Sequence, residues 1–170
     1  MAEVDVGASA NERLLFASKQ DNEELVAAIL EGKEGKVDVN FKDGLGNTAL
    51  HYAASTPSPT VLEQLLEDEH TDIDLKNRIE GRTPLHLACT LEHPGARKAI
   101  VSSLIDAGCD PRIKDLRGQK PTDLLRGAPG SEPDESLRKA LVAAEAEVSM
   151  DQSDIAHDDD GDEDGGSESD

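Results

Sequence analysis

Apolar residues along this chain gather in short clusters at helical spacing, separated by polar stretches rich in glycine, proline, asparagine and aspartate. Leu85 and Ala88 lie three apart on one face, with Thr83 placed to cap their helix and Pro84 at its first position, where a missing N–H costs nothing. A second cluster in AIVSSLIDAG sets Ile100, Leu104 and Ile105 at helical spacing and ends at Gly108, a stop signal. A last helix is predicted within SEPDESLRKALVAAEAEV: Ser131 and Asp134 form a capping-box-like start, Pro133 sits in the first turn, and Leu137, Leu141 and Ala144 share a face. Between helix pairs, residues 37–47, 73–82 and 109–119 read as extended segments that turn at Gly or Asn.

The pattern repeats. GRTPLHLACT at 81–90 echoes GNTALHYAAS at 46–55, and aligning Ala53 with Ala88 brings out two further copies. Upstream, RLLFASKQDNEELVAAILE places Ala17 in the same slot, and Ala17 to Leu30 spans the same thirteen residues as Ala53 to Leu66. Downstream, GQKPTDLL repeats the frame in decayed form, with Lys120 for Thr and Leu125 in the alanine slot. Successive slots are 36, 35 and 37 residues apart. In period and in the T-P-L-H-x-A frame the chain resembles an ankyrin-repeat protein.

The resemblance implies an all-α solenoid of stacked helix-turn-helix units with hairpin-like fingers at the repeat boundaries. Its expected span is residues 11–144, in approximate repeats 11–43, 44–78, 79–115 and 116–144, after a flexible start at 1–10 and before a disordered acidic tail at 145–170. The last helix would close the end of the stack. The third repeat carries a long inter-helix loop, TLEHPGAR, and the second has STPSPT, where Pro57 and Pro59 end the first helix and stiffen the connection.

Composition changes the picture in three ways. Only Phe16, Phe41 and Tyr52 are aromatic, which suits small stacked helices better than a bulky globular core. The formal charge is −20, of which −12 comes from Glu145 onward without one Lys or Arg, leaving −8 for residues 1–144. Direct nucleic-acid binding, which needs a basic surface, is disfavoured. No apolar run reaches membrane-spanning length and the N-terminus has neither a basic start nor an apolar core, so a soluble cytoplasmic or nuclear protein is expected. Cys89 and Cys109 stand alone and twenty apart, indicating neither a disulfide framework nor a metal site, and they fit a reducing compartment.

Chemistry is weighed against architecture in the same way. His51 and His86 occupy the TPLH slot, where the resemblance implies a histidine that hydrogen-bonds across neighbouring loops. His70, His93 and His157 have no paired ligands. Cys89 reads as a small buried hydrophobe and Cys109 as a structural turn residue. GLGNTA at 44–49 lacks the third glycine and the Lys-Ser/Thr partner of a phosphate loop. No catalytic, cofactor or metal residue is assigned, and an enzyme is not expected.

What remains is a surface. The resemblance implies that partners meet the finger tips and the inner face of the first helices. Carried over position by position, the tips offer Leu45 and Asn47, then Ile79, Glu80 and Arg82, then Leu116, Arg117 and Gln119. Leu45, Ile79 and Leu116 could form an exposed ladder, or could pack against adjacent fingers. The acidic tail reads either as a solubilising end or as an electrostatic lure for a basic client, with Ser167 and Ser169 set among acids as acidophilic-kinase sites are. The expected function is that of a monomeric, non-catalytic adaptor or regulatory subunit binding a protein partner. The alternative is a dedicated escort of a basic protein such as a ribosomal protein or histone, as small ankyrin-repeat escorts of ribosomal proteins are.

Overall fold

The structure is a computed structural model that describes residues 7–57, 59–125 and 134–154. Among these residues there are seven α-helices and no strand: α1 (Ala10–Lys19), α2 (Glu23–Leu30), α3 (Ala49–Ser55), α4 (Thr60–Leu66), α5 (Pro84–Cys89), α6 (Pro94–Asp106) and α7 (Asp134–Asp154). A single 3-10 turn, Pro121–Leu124, lies between α6 and α7.

Two rows result. α1, α3, α5 and the 3-10 turn stack in one; α2 packs on α4, and α6 on α7, in the other. The alanine slot explains how closely the first row packs. Ala17, Ala53 and Ala88 are completely buried, so a methyl group is all that separates neighbouring backbones. Leu14, Leu50 and Leu85 stand three positions before them on the same face and are buried too, and Val26, Ile29, Leu62, Leu65, Ile100 and Leu104 supply the second row. Thr83 takes the expected N-cap position and Pro84 opens α5, and one repeat earlier Thr48 accepts from the His51 N–H.

Three expectations need correction. The second half of the loop expected at TLEHPGAR is helix, because the His93 ring accepts from the Ala96 N–H and Pro94 takes the first position. The extra residues of the third repeat therefore lengthen α6 to thirteen residues against seven in α4. The unit expected at 116–144 is not a full helix-turn-helix. Leu125 does occupy the buried alanine slot, but among the described residues its first helix is one 3-10 turn, Pro121–Leu124. Finally, the tail boundary at 145 is too early, since α7 runs on to Asp154.

α7 docks as the terminal cap through Leu137, Leu141 and Ala144. At its first turn Asp134 meets Arg97 of α6 at 2.8 Å, both side chains about 5% exposed. Further along, Glu145 accepts from Lys120 Nζ at 2.8 Å and from Thr122 Oγ1. Ser131 and Pro133, assigned to its start, lie outside the described residues, as do 1–6 and 155–170.

Candidate partner-binding surface

Each finger is built by one acidic or amide side chain folded back on its own turn. Asp43 Oδ1 accepts from the N–H groups of Leu45 and Asn47, both at 2.9 Å. Asp115 does the same for Arg117 and Gln119, and Asn77 for Glu80 and Arg82. Gly46, Gly81 and Gly118 follow with φ of 79°, 63° and 76°, the left-handed geometry that closes the turn. Successive fingers are stitched by backbone bonds: Arg78 N–H donates to Leu45 O at 2.9 Å, and Leu116 N–H to Glu80 O at 2.8 Å.

This register breaks the expected apolar ladder. The second finger runs five positions from Asn77 to Arg82, whereas the others run four, from Asp43 to Asn47 and from Asp115 to Gln119. Leu45 directly precedes its glycine, while Ile79 and Leu116 stand two before theirs; counted from the residue that closes the turn, Leu45 and Ile79 come second and Leu116 first. All three are exposed, at 47%, 60% and 71%, but they are not equivalent rungs. Leu116 leans over Gly81, whose missing Cβ would lie 2.8 Å from Leu116 Cγ. Ile79 instead turns toward the helices.

Of the other assigned tip residues, Arg117 is exposed. Asn47, Glu80, Arg82 and Gln119 are half-buried and engaged within the finger stack. Asn47 Oδ1 accepts from Asn77 Nδ2, Glu80 pairs with Arg82 at 3.0 Å, and Arg82 Nε reaches Asp115 at 3.4 Å. Gln119 lends its carbonyl to a histidine.

Those histidines are rivets. His51 Nδ1 accepts from the Thr48 N–H at 3.1 Å, and Nε2 lies 3.0 Å from Arg82 O in the next finger. His86 repeats the arrangement with Thr83 at 3.2 Å and Gln119 O at 3.0 Å. A carbonyl only accepts, so Nε2 carries the proton and the neutral ring spans two repeats. Burial holds both histidines below their ordinary pKa, against the pull of the carbonyl partner.

The surface residues that tip positions alone did not find lie one place before the alanine slot: Phe16, Tyr52 and Leu87. They hold two of the chain's three aromatics, and alignment on the alanines exposes that coincidence. Phe16 is 56% exposed, and Tyr52 and Leu87 are half-buried. Tyr52, Leu87 and Ile79, with Asn47, His51 and Glu80, line a cleft of about 260 Å³ between the second and third repeats. The Tyr52 hydroxyl donates to Asp43 Oδ2, which ties the helix to its finger, and Lys19 Nζ sits 5.7 Å from the ring centre. The arrangement offers apolar area with polar groups at its edge, the make-up of a protein-docking patch.

Burial pushes the Cys109 thiol up to about 12 and Cys89 higher still, so neither is poised as a nucleophile at neutral pH. Among the described residues, no three His, Cys, Asp or Glu side chains converge as metal ligands, and no helix is long and apolar enough to cross a membrane.

A family model described as ankyrin repeats, in three copies, matches residues 14–115. It thus ends where the helix-turn-helix pattern decays. Ankyrin repeat-containing protein YGL242C of Saccharomyces cerevisiae is 34% identical over 149 residues, 82% of either chain. NF-kappa-B inhibitor delta of Homo sapiens is 33% identical over 133 residues, which are 76% of this chain and 40% of that protein. Regulatory protein NPR5 of Arabidopsis thaliana is 33% identical over 114 residues, 67% of this chain and 21% of that one. This chain spans most of the yeast protein but two fifths or less of the other two.

Proposed function

This chain belongs to the ankyrin-repeat family, and on that premise we propose that it is a non-catalytic, monomeric adaptor or regulatory subunit that grips one protein partner. Repeats of this family act through contact with other proteins. The observation that carries the finer reading is the recurrence of Phe16, Tyr52 and Leu87 at one position per repeat, with Tyr52 and Leu87 beside Ile79 in a common cleft. Large apolar side chains held half-open on rigid helices serve as anchors at little entropic cost, whereas the helices that carry them gain nothing from exposing them. Similarity to an inhibitor and to a plant regulatory protein supports a regulatory role.

A second reading keeps the escort of a basic protein, favoured by the twelve acidic residues from Glu145 onward. The two separate by residue. Partners captured by the full-length chain and then identified should be lost on Phe16→Ser with Ile79→Ser, without change in the thermal transition. Capture that instead survives these changes and disappears on removing residues 155–170 would favour the escort. Both readings suit the cytoplasm or nucleus.

A further inference from the structure

The fingers carry both signs of charge, and their unpaired cations fall in a row. Their carboxylates keep their charge but are held inside the fingers: Asp43 and Asp115 close their turns, Asp38 and Asp72 accept from N–H groups two residues on, Asp74 accepts from Asp110 N–H, Asp110 pairs with Arg112, and Glu80 and Asp115 meet Arg82. The finger cations are different. Lys36, Lys42, Lys76, Arg78, Lys114 and Arg117 are exposed or partly so, and among the described residues none has a carboxylate within ion-pairing distance. Three of them fall in one slot: Lys42 Nζ donates to Lys76 O at 3.2 Å and Lys76 Nζ to Lys114 O at 2.6 Å. A carbonyl satisfies one of three ammonium donors and leaves the charge unneutralised. The outer row is opposite in sign, with Glu23, Glu24 and Glu31 on or beside α2 and Glu63, Glu67, Asp68 and Glu69 on or beside α4.

α7 aims the acidic end at this row. Asp134 is held by Arg97 near the start of α6, and Glu145 by Lys120 at the end of the third finger, so the helix runs toward the finger side. Asp154 lies nine residues further, about 13 Å at the helical rise. Residues 155–170 then carry eight carboxylates and no Lys or Arg. Sixteen residues can span at most roughly 50 Å, against a spacing of about 10 Å between stacked repeats.

We propose that the lysine row Lys42–Lys76–Lys114, with Arg78 and Arg117 at the tips, is a docking surface for an acidic polypeptide, and that its resident occupant is this chain's own segment 155–170. Tethering supplies an effective concentration in the millimolar range, so contacts that are individually weak suffice. The segment covers the fingers electrostatically until something more basic draws it off. A basic client then both captures the tail and uncovers the finger face. The inference does not rest on the apolar cleft having a partner.

The test uses the full chain. A spin label attached at Ser167→Cys, under native conditions in which Cys89 and Cys109 are buried, is read through amide relaxation in dilute solution. At low salt the enhancement should concentrate on residues 42–46, 76–81 and 114–118 and spare α2 and α4. It should fall several-fold when salt is raised to ~0.5 M. It should also vanish when Asp158, Asp159, Asp160, Asp162 and Asp164 become Asn and Glu163 becomes Gln, changes that leave every finger residue as it is. Arg78→Gln with Arg117→Gln, both at exposed tips, should weaken it. Enhancement spread evenly over the solenoid, centred on α7, or insensitive to the neutralised tail would overturn the proposal. So would enhancement that grows with protein concentration, because the occupant would then be a second copy's tail.

Discussion

His51 Nε2 lies 3.0 Å from the carbonyl oxygen of Arg82, thirty-one residues away, and so joins the first turn of α3 to the finger of the next repeat. His86 and Gln119 make the same join one repeat later. Each neutral ring satisfies a Thr N–H on one side and a carbonyl on the other, and each is buried. Together with the bonds between fingers, they add directed polar links to the alanine and leucine faces on which the repeats stack.

Replacing His86 by Ala should therefore strand the Thr83 N–H and the Gln119 carbonyl, at about 1–3 kcal/mol for each group left unsatisfied. Urea denaturation would measure it. The pH dependence has a definite sign. Because the folded pKa of both histidines lies below the ordinary 6.5, the unfolded chain binds protons first. Stability should be full above that value and decline as pH falls from it toward the folded value. The His51→Gln/His86→Gln chain should lose that slope; an unchanged slope would assign it to other groups.

Two glycines in equivalent turns should behave differently. Both Gly46 and Gly118 have positive φ, which costs an L-residue roughly 1–2 kcal/mol. A Cβ at Gly118 meets nothing within 4 Å, but one at Gly46 would stand 2.5 Å from the Arg78 backbone nitrogen. Gly118→Ala should cost only the backbone term. Gly46→Ala should cost distinctly more, because the Arg78 N–H···O=C Leu45 bond must give way. Equal denaturation midpoints would contradict the close approach.

The architecture was readable because it is stated three times: the alanine slots at 17, 53 and 88 fix the stack, and no single helix had to be strong. Where the chain states a feature once, its sequence is a weaker guide. His-Pro-Gly at 93–95 looks like a loop until an imidazole nitrogen is seen capping the helix. The last helix is legible from Leu137, Leu141 and Ala144, but its end resembles the start of a tail because Glu145, Glu147 and Asp151 are polar, yet alanine and glutamate are strong helix formers and Glu145 has partners 23 and 25 residues back. At the fingers, Leu45 and Leu116 differ in their distance from the glycine although their turns are equally long, and the second turn carries one more residue, so side-chain slots cannot be compared until the glycines are aligned. Phe16, Tyr52 and Leu87 were available from the same alignment that found the alanines.

The Arg97–Asp134 pair should be costly to halve. Asp134→Ala leaves a guanidinium buried with only the Leu91 carbonyl, and its Nε already lacks a partner, so a loss of about 3–5 kcal/mol is expected. Arg97→Met with Asp134→Leu should stay much nearer the original chain, because two apolar side chains remove both charges together. Denaturant midpoints of the three proteins would decide it. A double change as harmful as the single one would mean that the pair, not merely its balance, holds α7 in place.

The two thiols should be silent. With Cys89 and Cys109 both buried and their pKa values pushed well above the ordinary range, the folded protein should react with a disulfide reagent at pH 8 only as fast as it opens. Adding urea to the unfolding midpoint should release both together. Rapid labelling of one thiol in the native protein would show that its site is looser than its burial states.

The end of the folded unit can be located by cutting it twice. A chain stopped after Asp154 keeps α7 whole, and its stability should lie within about 0.5 kcal/mol of the full-length protein. A chain stopped after Ala144 keeps the buried Leu137, Leu141 and Ala144 but loses Glu145, the acceptor for Lys120 and Thr122. The Lys120–Glu145 side chains are 35% and 21% exposed, so solvent discounts the pair. With the Thr122 bond and the lost helical turns, a destabilisation of about 1–2 kcal/mol is expected. Glu145→Gln in the full chain separates the causes, because it removes the charge while leaving the helix in place. If the chain ending at 144 matches the one ending at 154, the helix beyond Ala144 adds nothing to the stack.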